Sequence, residues 1–71
     1  MFTVRHKTRR GGSAIHKLRT GADVMEVIER CHRNRLECTA ENSLGYPIGW
    51  VWKNEGRWTW SVDREELGIT D

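Results

Sequence analysis

The side chains that could ligate a metal ion are three histidines and two cysteines: His6, His16, Cys31, His32 and Cys38. Zinc sites usually draw their ligands from short C-x-x-C or H-x(3–5)-H spacings, and neither spacing occurs in this sequence. Cys31 and His32 are adjacent, so on a helix they point about 100° apart and do not easily share a site. The spacing therefore predicts no metal site.

Catalytic chemistry has equally little support in the sequence. A Cys–His nucleophile pair needs convergent side chains, an orienting third group and a cleft, and the adjacency of Cys31 and His32 works against it. The neighbouring acids Glu65 and Glu66 are expected to be solvated. Gly11 and Gly12 lie between two predicted strands and not before a helix, so they do not form a phosphate-binding loop. We predict a protein that is not an enzyme and needs no cofactor.

The two cysteines also bear on the compartment. In a small secreted protein, Cys31 and Cys38 could form one disulfide. Cys31 instead fits the buried stripe of a predicted helix and Cys38 the inward side of a predicted strand, which is typical of reduced, buried thiols. No apolar run reaches the ~18 residues of a membrane span, and none follows the basic N-terminus as a secretory signal requires. We expect a cytoplasmic protein with no membrane partner.

Basic residues are concentrated near the N-terminus. Residues 1–22 carry six basic residues and no acid, although the net charge of the whole chain is only +2. A basic segment on a near-neutral chain predicts an anionic partner. The alternative interpretation is a solvated strand face without a partner. The candidate binding residues are Arg5, Lys7, Arg9, Arg10, Lys17 and Arg19.

These basic residues lie in a predicted β-hairpin. Side chains alternate over residues 2–9 and again over 14–20, on either side of a turn at Arg10-Gly11-Gly12. A three-residue loop pairs His6 with His16 and separates apolar from basic side chains, whereas a two-residue Gly11-Gly12 loop mixes them. A disordered basic arm before residue 14 is the alternative. The predicted basic face holds Thr3, Arg5, Lys7, Ile15, Lys17 and Arg19, with Arg9 continuing it and Ile15 as the one apolar misfit.

A second hairpin contains all four tryptophans, between Ile48 and Val62. Asn54-Glu55-Gly56 has the composition of a three-residue hairpin loop. That loop pairs Trp52 with Trp58 and places Trp50, Trp52, Trp58 and Trp60 on one face with Ile48 and Val62. Burial favours this register and predicts the tryptophans as the core beneath a helix. A slip by one residue would put Trp52 and Trp58 on opposite faces. The alternative interpretation is that all four tryptophans lie on an outer face and form a stacking platform for single-stranded nucleic acid.

The remaining elements complete a two-layer fold. An apolar stripe at helical spacing, Val24, Val27, Ile28 and Cys31, predicts a helix that starts with Thr20 or Asp23 as N-cap and ends near Asn34. Alternation over residues 36–41 predicts a third strand, and Asp63 caps a last helical turn, Arg64 to Leu67, that ends at Gly68. The sequence predicts a single small α+β domain over residues 1–71, with one α-helix packed on an antiparallel sheet in the order ββαβββ.

The predicted function is that of a small non-enzymatic binding protein. It contacts nucleic acid or a nucleic-acid-handling complex through the basic N-terminal hairpin. The affinity is expected to be weak and salt-sensitive because the predicted binding face has no stacking groups, and nearly indifferent to sequence because no base-reading group is present. The alternative is a protein-binding inhibitor or adaptor, such as a phage or mobile-element protein that blocks a host defence nuclease in an anti-CRISPR-like manner.

Overall fold

A computed structural model describes residues 1–69 of the chain. Its elements are β1 (Phe2–Lys7), β2 (Ser13–Leu18), α1 (Gly21–Arg33), β3 (Cys38–Glu41), β4 (Pro47–Asn54), β5 (Arg57–Val62) and α2 (Arg64–Leu67). The strands form one antiparallel sheet in the order β2-β1-β3-β4-β5, and α1 packs across one face of it. The predicted α+β fold and the element order are confirmed. We call the face beneath α1 the inner face and the opposite one the outer face.

Helix α1 starts at the predicted cap and buries the predicted stripe. The Thr20 hydroxyl accepts a hydrogen bond from the Asp23 amide at 3.1 Å, which identifies Thr20 as the N-cap. Val24, Val27, Ile28 and Cys31 are all buried against the sheet. Neither of the two helices described is long and apolar enough to cross a membrane.

The N-terminal hairpin is ordered, with the predicted faces but a different pairing. His16 pairs with Val4 and Lys7 pairs with Ser13, so the register differs by two residues from the prediction. The loop covers residues 8–12 and is closed by a hydrogen bond from the Thr8 amide to the Gly12 carbonyl at 3.0 Å. Because side chains alternate with a period of two, a two-residue shift leaves every side chain of the strands on its predicted face.

The register predicted for the tryptophan hairpin is wrong by one residue. Glu55 and Gly56 alone form the turn, with φ angles of +52° and +80°, the left-handed pair of a type I′ turn. Lys53 therefore pairs with Trp58, and Trp52 pairs with Thr59. Trp58 and Trp60 pack against the core from the inner face, as predicted, whereas Trp50 and Trp52 lie on the outer face.

An irregularity in β4 explains the difference. The pairing between β3 and β4 shifts at Ala40 and Glu41, and Ile48 and Gly49 are both buried although they are neighbours. The prediction assumed unbroken alternation from Ile48 through Trp52, which a β-bulge interrupts. Beyond the bulge the alternation is regular: Gly49 and Val51 are buried beneath α1, and Trp50 and Trp52 lie on the outer face.

Candidate functional site

The outer face of the sheet carries a groove with a volume of about 760 Å³. Trp50 and Trp52 on β4 form one side of it, and Ile15 on β2 forms the other. Arg5 on β1 and Thr39 on β3 lie between them. Ile15 is 61% exposed, and the two tryptophans are 39% and 38% exposed. Large apolar groups that are exposed together in one concavity usually indicate an interaction surface.

The two outer tryptophans have accessible ring surfaces because their cross-strand neighbours are small. Trp52 pairs with Thr59, and Trp50 pairs with Ser61 on one side and Thr39 on the other. The two indole rings contact each other edge to face, with centroids 6.5 Å apart and an angle of 87° between the planes. The rings therefore support each other while each keeps surface available for a flat partner.

Three of the six predicted binding residues share this outer face. The Arg5 guanidinium donates a hydrogen bond to the Glu41 carboxylate at 2.6 Å, so part of its charge is balanced within the sheet. Lys17 donates to the Thr3 hydroxyl at 2.9 Å. Lys7 is exposed and lines the groove. The groove thus has an apolar side at β4 and cationic groups on β1, and Lys17 on β2 lies on the same face outside the groove lining.

The other three predicted residues lie outside the strands of the sheet. Arg9 lies in the β1–β2 loop and donates to the Asn34 side chain at 3.0 Å, next to the end of α1. Arg10 is exposed in the same loop. Arg19 follows β2 and precedes α1, at the opposite end of the hairpin. Of the five basic residues predicted to share one face, Arg5, Lys7 and Lys17 are the ones that lie in strands.

His6 and His16 form a hydrogen-bonded pair on the inner face, although they are not directly opposite each other in the register. The Nε2 atoms of His6 and His16 are 2.9 Å apart, and the rings stack with centroids at 5.0 Å. Nδ1 of His6 lies 2.7 Å from the Lys7 carbonyl, so Nδ1–H donates there and Nε2 accepts from His16. Burial lowers the pKa of His16 below its ordinary value, and the charges of His6 and Arg30 lower it further.

The two cysteines are free, buried neighbours of this pair. Cys31 on α1 is 2% exposed and Cys38 on β3 is 3% exposed. A hydrogen bond between the thiols lowers the pKa of Cys31 to about 7, although burial acts in the opposite direction. The same hydrogen bond, together with burial, raises the pKa of Cys38. Within residues 1–69, no three potential ligands lie close enough together to hold a metal ion.

A second concavity, which sequence reasoning missed, lies between the end of α1 and the β4–β5 turn. We call it the basic cleft; its volume is about 560 Å³ and its walls are His32, Arg33, Arg35, Lys53, Gly56, Arg57 and Trp58. His32 links the α1 side of the cleft to the hairpin side, because its Nε2–H donates a hydrogen bond to the Trp58 carbonyl at 3.1 Å. Four of these residues are strongly basic: Arg33, Arg35, Lys53 and Arg57. They come from two segments of residues 23–71, where acidic residues outnumber basic ones, so the net charge of that region does not indicate a basic site.

The charges of the folded protein are separated along the molecule. Arg9 contacts Asn34 at the end of α1, which places the β1–β2 loop at the same end as the basic cleft. Helix α2, with Glu65 and Glu66 in its first turn, packs instead near the start of α1. One end of the protein is consequently basic and the other is rich in carboxylates.

No protein-family model, no curated protein and no solved structure matches this chain. The outer groove and the basic cleft are the features of the molecule whose geometry and charge bear on its function.

Proposed function

We propose that this protein binds single-stranded nucleic acid across the outer face of its sheet. The observation that carries the proposal is the position of Trp50 and Trp52, exposed side by side in a groove that also contains Arg5 and Lys7. The bases stack on the indole rings, and the phosphates lie toward the basic residues of β1 and β2.

Stacking on an exposed sheet explains why two tryptophans remain on a surface. Each base stacked on an aromatic side chain contributes ~1–3 kcal/mol, and every base offers a π face, so such binding tolerates sequence variation. Small neighbours such as Thr59 and Ser61 leave the rings accessible. A duplex keeps its base faces inside its own stack, and this favours a single strand as the ligand.

Lys7 and Lys17 supply the electrostatic part of the interaction. Both side chains lie on the outer face, and no carboxylate lies within 4.0 Å of either among residues 1–69. Arg5 retains guanidinium donors beyond the one that contacts Glu41. Phosphate contacts of this kind position a strand without reading its sequence. This proposal keeps the basic residues of the N-terminal hairpin and adds the tryptophans of β4.

The proposal is tested by titrating the protein with a labelled oligothymidylate of about 12 nucleotides. Trp50→Ala and Trp52→Ala should each weaken binding about 5- to 150-fold, the equivalent of one lost stacking contact. Tyr46→Ala is the matched control, because Tyr46 is an exposed aromatic residue in the β3–β4 loop, at the other end of β4. It should leave the affinity unchanged. Binding should also quench tryptophan fluorescence.

Salt dependence separates stacking from charge. Lys7→Gln and Lys17→Gln should each reduce the slope of log affinity against log salt by ~0.7, and Trp52→Ala should leave the slope unchanged. Absence of any single-strand affinity at low salt refutes the proposal. A specific protein captured by the wild type and lost by Trp52→Ala would instead identify the groove as the docking site of the inhibitor or adaptor considered above.

A further inference from the structure

We infer that the basic cleft binds backbone phosphates of the same strand after it leaves Trp52 and passes over the β4–β5 turn. This inference depends on the proposed function for the path of the strand. The phosphate site itself depends only on the basic residues that line the cleft.

The cleft holds more positive charge than the surrounding protein balances. Arg33, Arg35, Lys53 and Arg57 line it, all four are exposed, and none makes a hydrogen bond or ion pair through its side chain with residues 1–69. Carbonyl groups at the end of α1 favour nearby cations, which accounts for Arg33 in its last turn. Lys53 and Arg57 belong to the hairpin and have no such role.

The chemistry of the cleft fits phosphate groups. Arginine presents donors in a planar fork that matches phosphate oxygens, and lysine adds a point charge. Trp58 provides an apolar wall on which a sugar or base can rest. Several cations around one concavity are suited to a polyanion that presents successive charges, which a phosphodiester backbone does.

The position of the cleft connects it to the outer groove. Trp52 and Lys53 are consecutive residues of β4, so their side chains point to opposite faces of the same strand. The hairpin beyond them closes with only Glu55 and Gly56. A flexible strand that ends its stacking at Trp52 therefore reaches the cleft by crossing a two-residue turn.

The test compares oligothymidylates of about 4 and about 12 nucleotides, the two ends of the usual range of single-strand sites. Arg33→Gln, Lys53→Gln and Arg57→Gln should each lower the salt slope of the longer strand by ~0.7 and leave that of the shorter strand unchanged. Arg19→Gln is the control, because it removes the same charge from an exposed residue at the far end of the N-terminal hairpin. Circular dichroism establishes that each variant is folded.

A phosphodiester strand of about 12 abasic sites has no bases to stack, so it removes the contribution of the tryptophans and keeps the phosphate contacts of the groove and of the cleft. Its binding should be weakened by Lys53→Gln and unaffected by Trp52→Ala. The inference is overturned if the three glutamine variants leave the salt slope of the long oligothymidylate unchanged, or if they affect both lengths equally.

Inorganic pyrophosphate separates failure of this inference from failure of the proposed function. If no strand binds but pyrophosphate shifts the amide resonances of Lys53 and Arg57, the cleft is a site for small phosphates and the strand path is wrong. If strands bind with full dependence on Trp50 and Trp52 but none on the cleft, the proposed function stands and this inference fails.

Discussion

Replacing Gly49 by alanine tests which tryptophans face outward. A Cβ atom at this position lies 2.8 Å from Cδ1 of Ile28 and 3.4 Å from both the Ser61 carbonyl and Cγ1 of Val62. Ile28 is fully buried, so its displaced methyl group must be accommodated within the packed core. Forcing an extra methyl into a packed core costs ~1–3 kcal/mol, and removing a strand glycine returns ~0.5–1 kcal/mol. The midpoints of these ranges differ by about 1 kcal/mol, and we expect Gly49→Ala to lower the free energy of unfolding by about that amount.

The sign of this change distinguishes the two registers. With a three-residue turn, Gly49 would lie on the outer face between Ile48 and Trp50, and alanine there would stabilise the protein by ~0.5–1 kcal/mol. With the two-residue turn of the structure, alanine destabilises it. Urea unfolding followed by circular dichroism measures the difference, and each 1 kcal/mol should also shift Tm by ~4–8 °C.

A double-mutant cycle identifies the atom responsible. Ile28→Val removes Cδ1 and should cost ~0.5–1.5 kcal/mol alone. If the 2.8 Å contact causes the loss, the double variant is destabilised by less than the sum of the single changes. An additive cycle shows that the contact with Ile28 is not the cause of the loss, and a Gly49→Ala variant more stable than the wild type refutes the assignment of Trp50 and Trp52 to the outer face.

Two further predictions concern the inner face. The pKa of His16 is lowered below 6.5, so the unfolded chain binds its proton more readily; stability should fall as pH drops below about 6.5, and His16→Gln should weaken this fall in acid titrations of unfolding. Cys31 and Cys38 should react with a thiol reagent only as fast as the protein opens, despite the lowered pKa of Cys31, because both are almost fully buried. Rapid labelling without denaturant would contradict that burial.

The fold was predictable because its signals are local and agree with one another. The stripe from Val24 to Cys31 and the cap at Thr20 define α1 without reference to any other element. Alternation and glycine turns define the strands. The faces of the N-terminal hairpin survived an error of two residues in its pairing, because an even shift does not move a side chain between faces.

The register of the tryptophan hairpin could not be predicted from local sequence patterns. Sorting by hydrophobicity assumed that all four tryptophans belong to the core, which a three-residue turn would allow. Tertiary packing imposes a different solution, because the bulge at Ile48 and Gly49 shifts the alternation and Ile28 occupies the space above Gly49. The bulge arises where β4 pairs with β3, and the sequence of β4 alone does not indicate how the two strands pair.

The same one-residue difference determines the functional hypothesis. With every tryptophan inside, Ile15 would be the one large apolar residue on a basic outer face, and binding would depend on phosphate contacts. With Trp50 and Trp52 outside, the face combines flat apolar surface with Lys7 and Lys17, which is what a single strand needs from a protein that does not read its sequence. The basic cleft could not be predicted for a related reason. Arg33 and Arg57 are distant in sequence, and they meet only because the β4–β5 turn folds back to the end of α1.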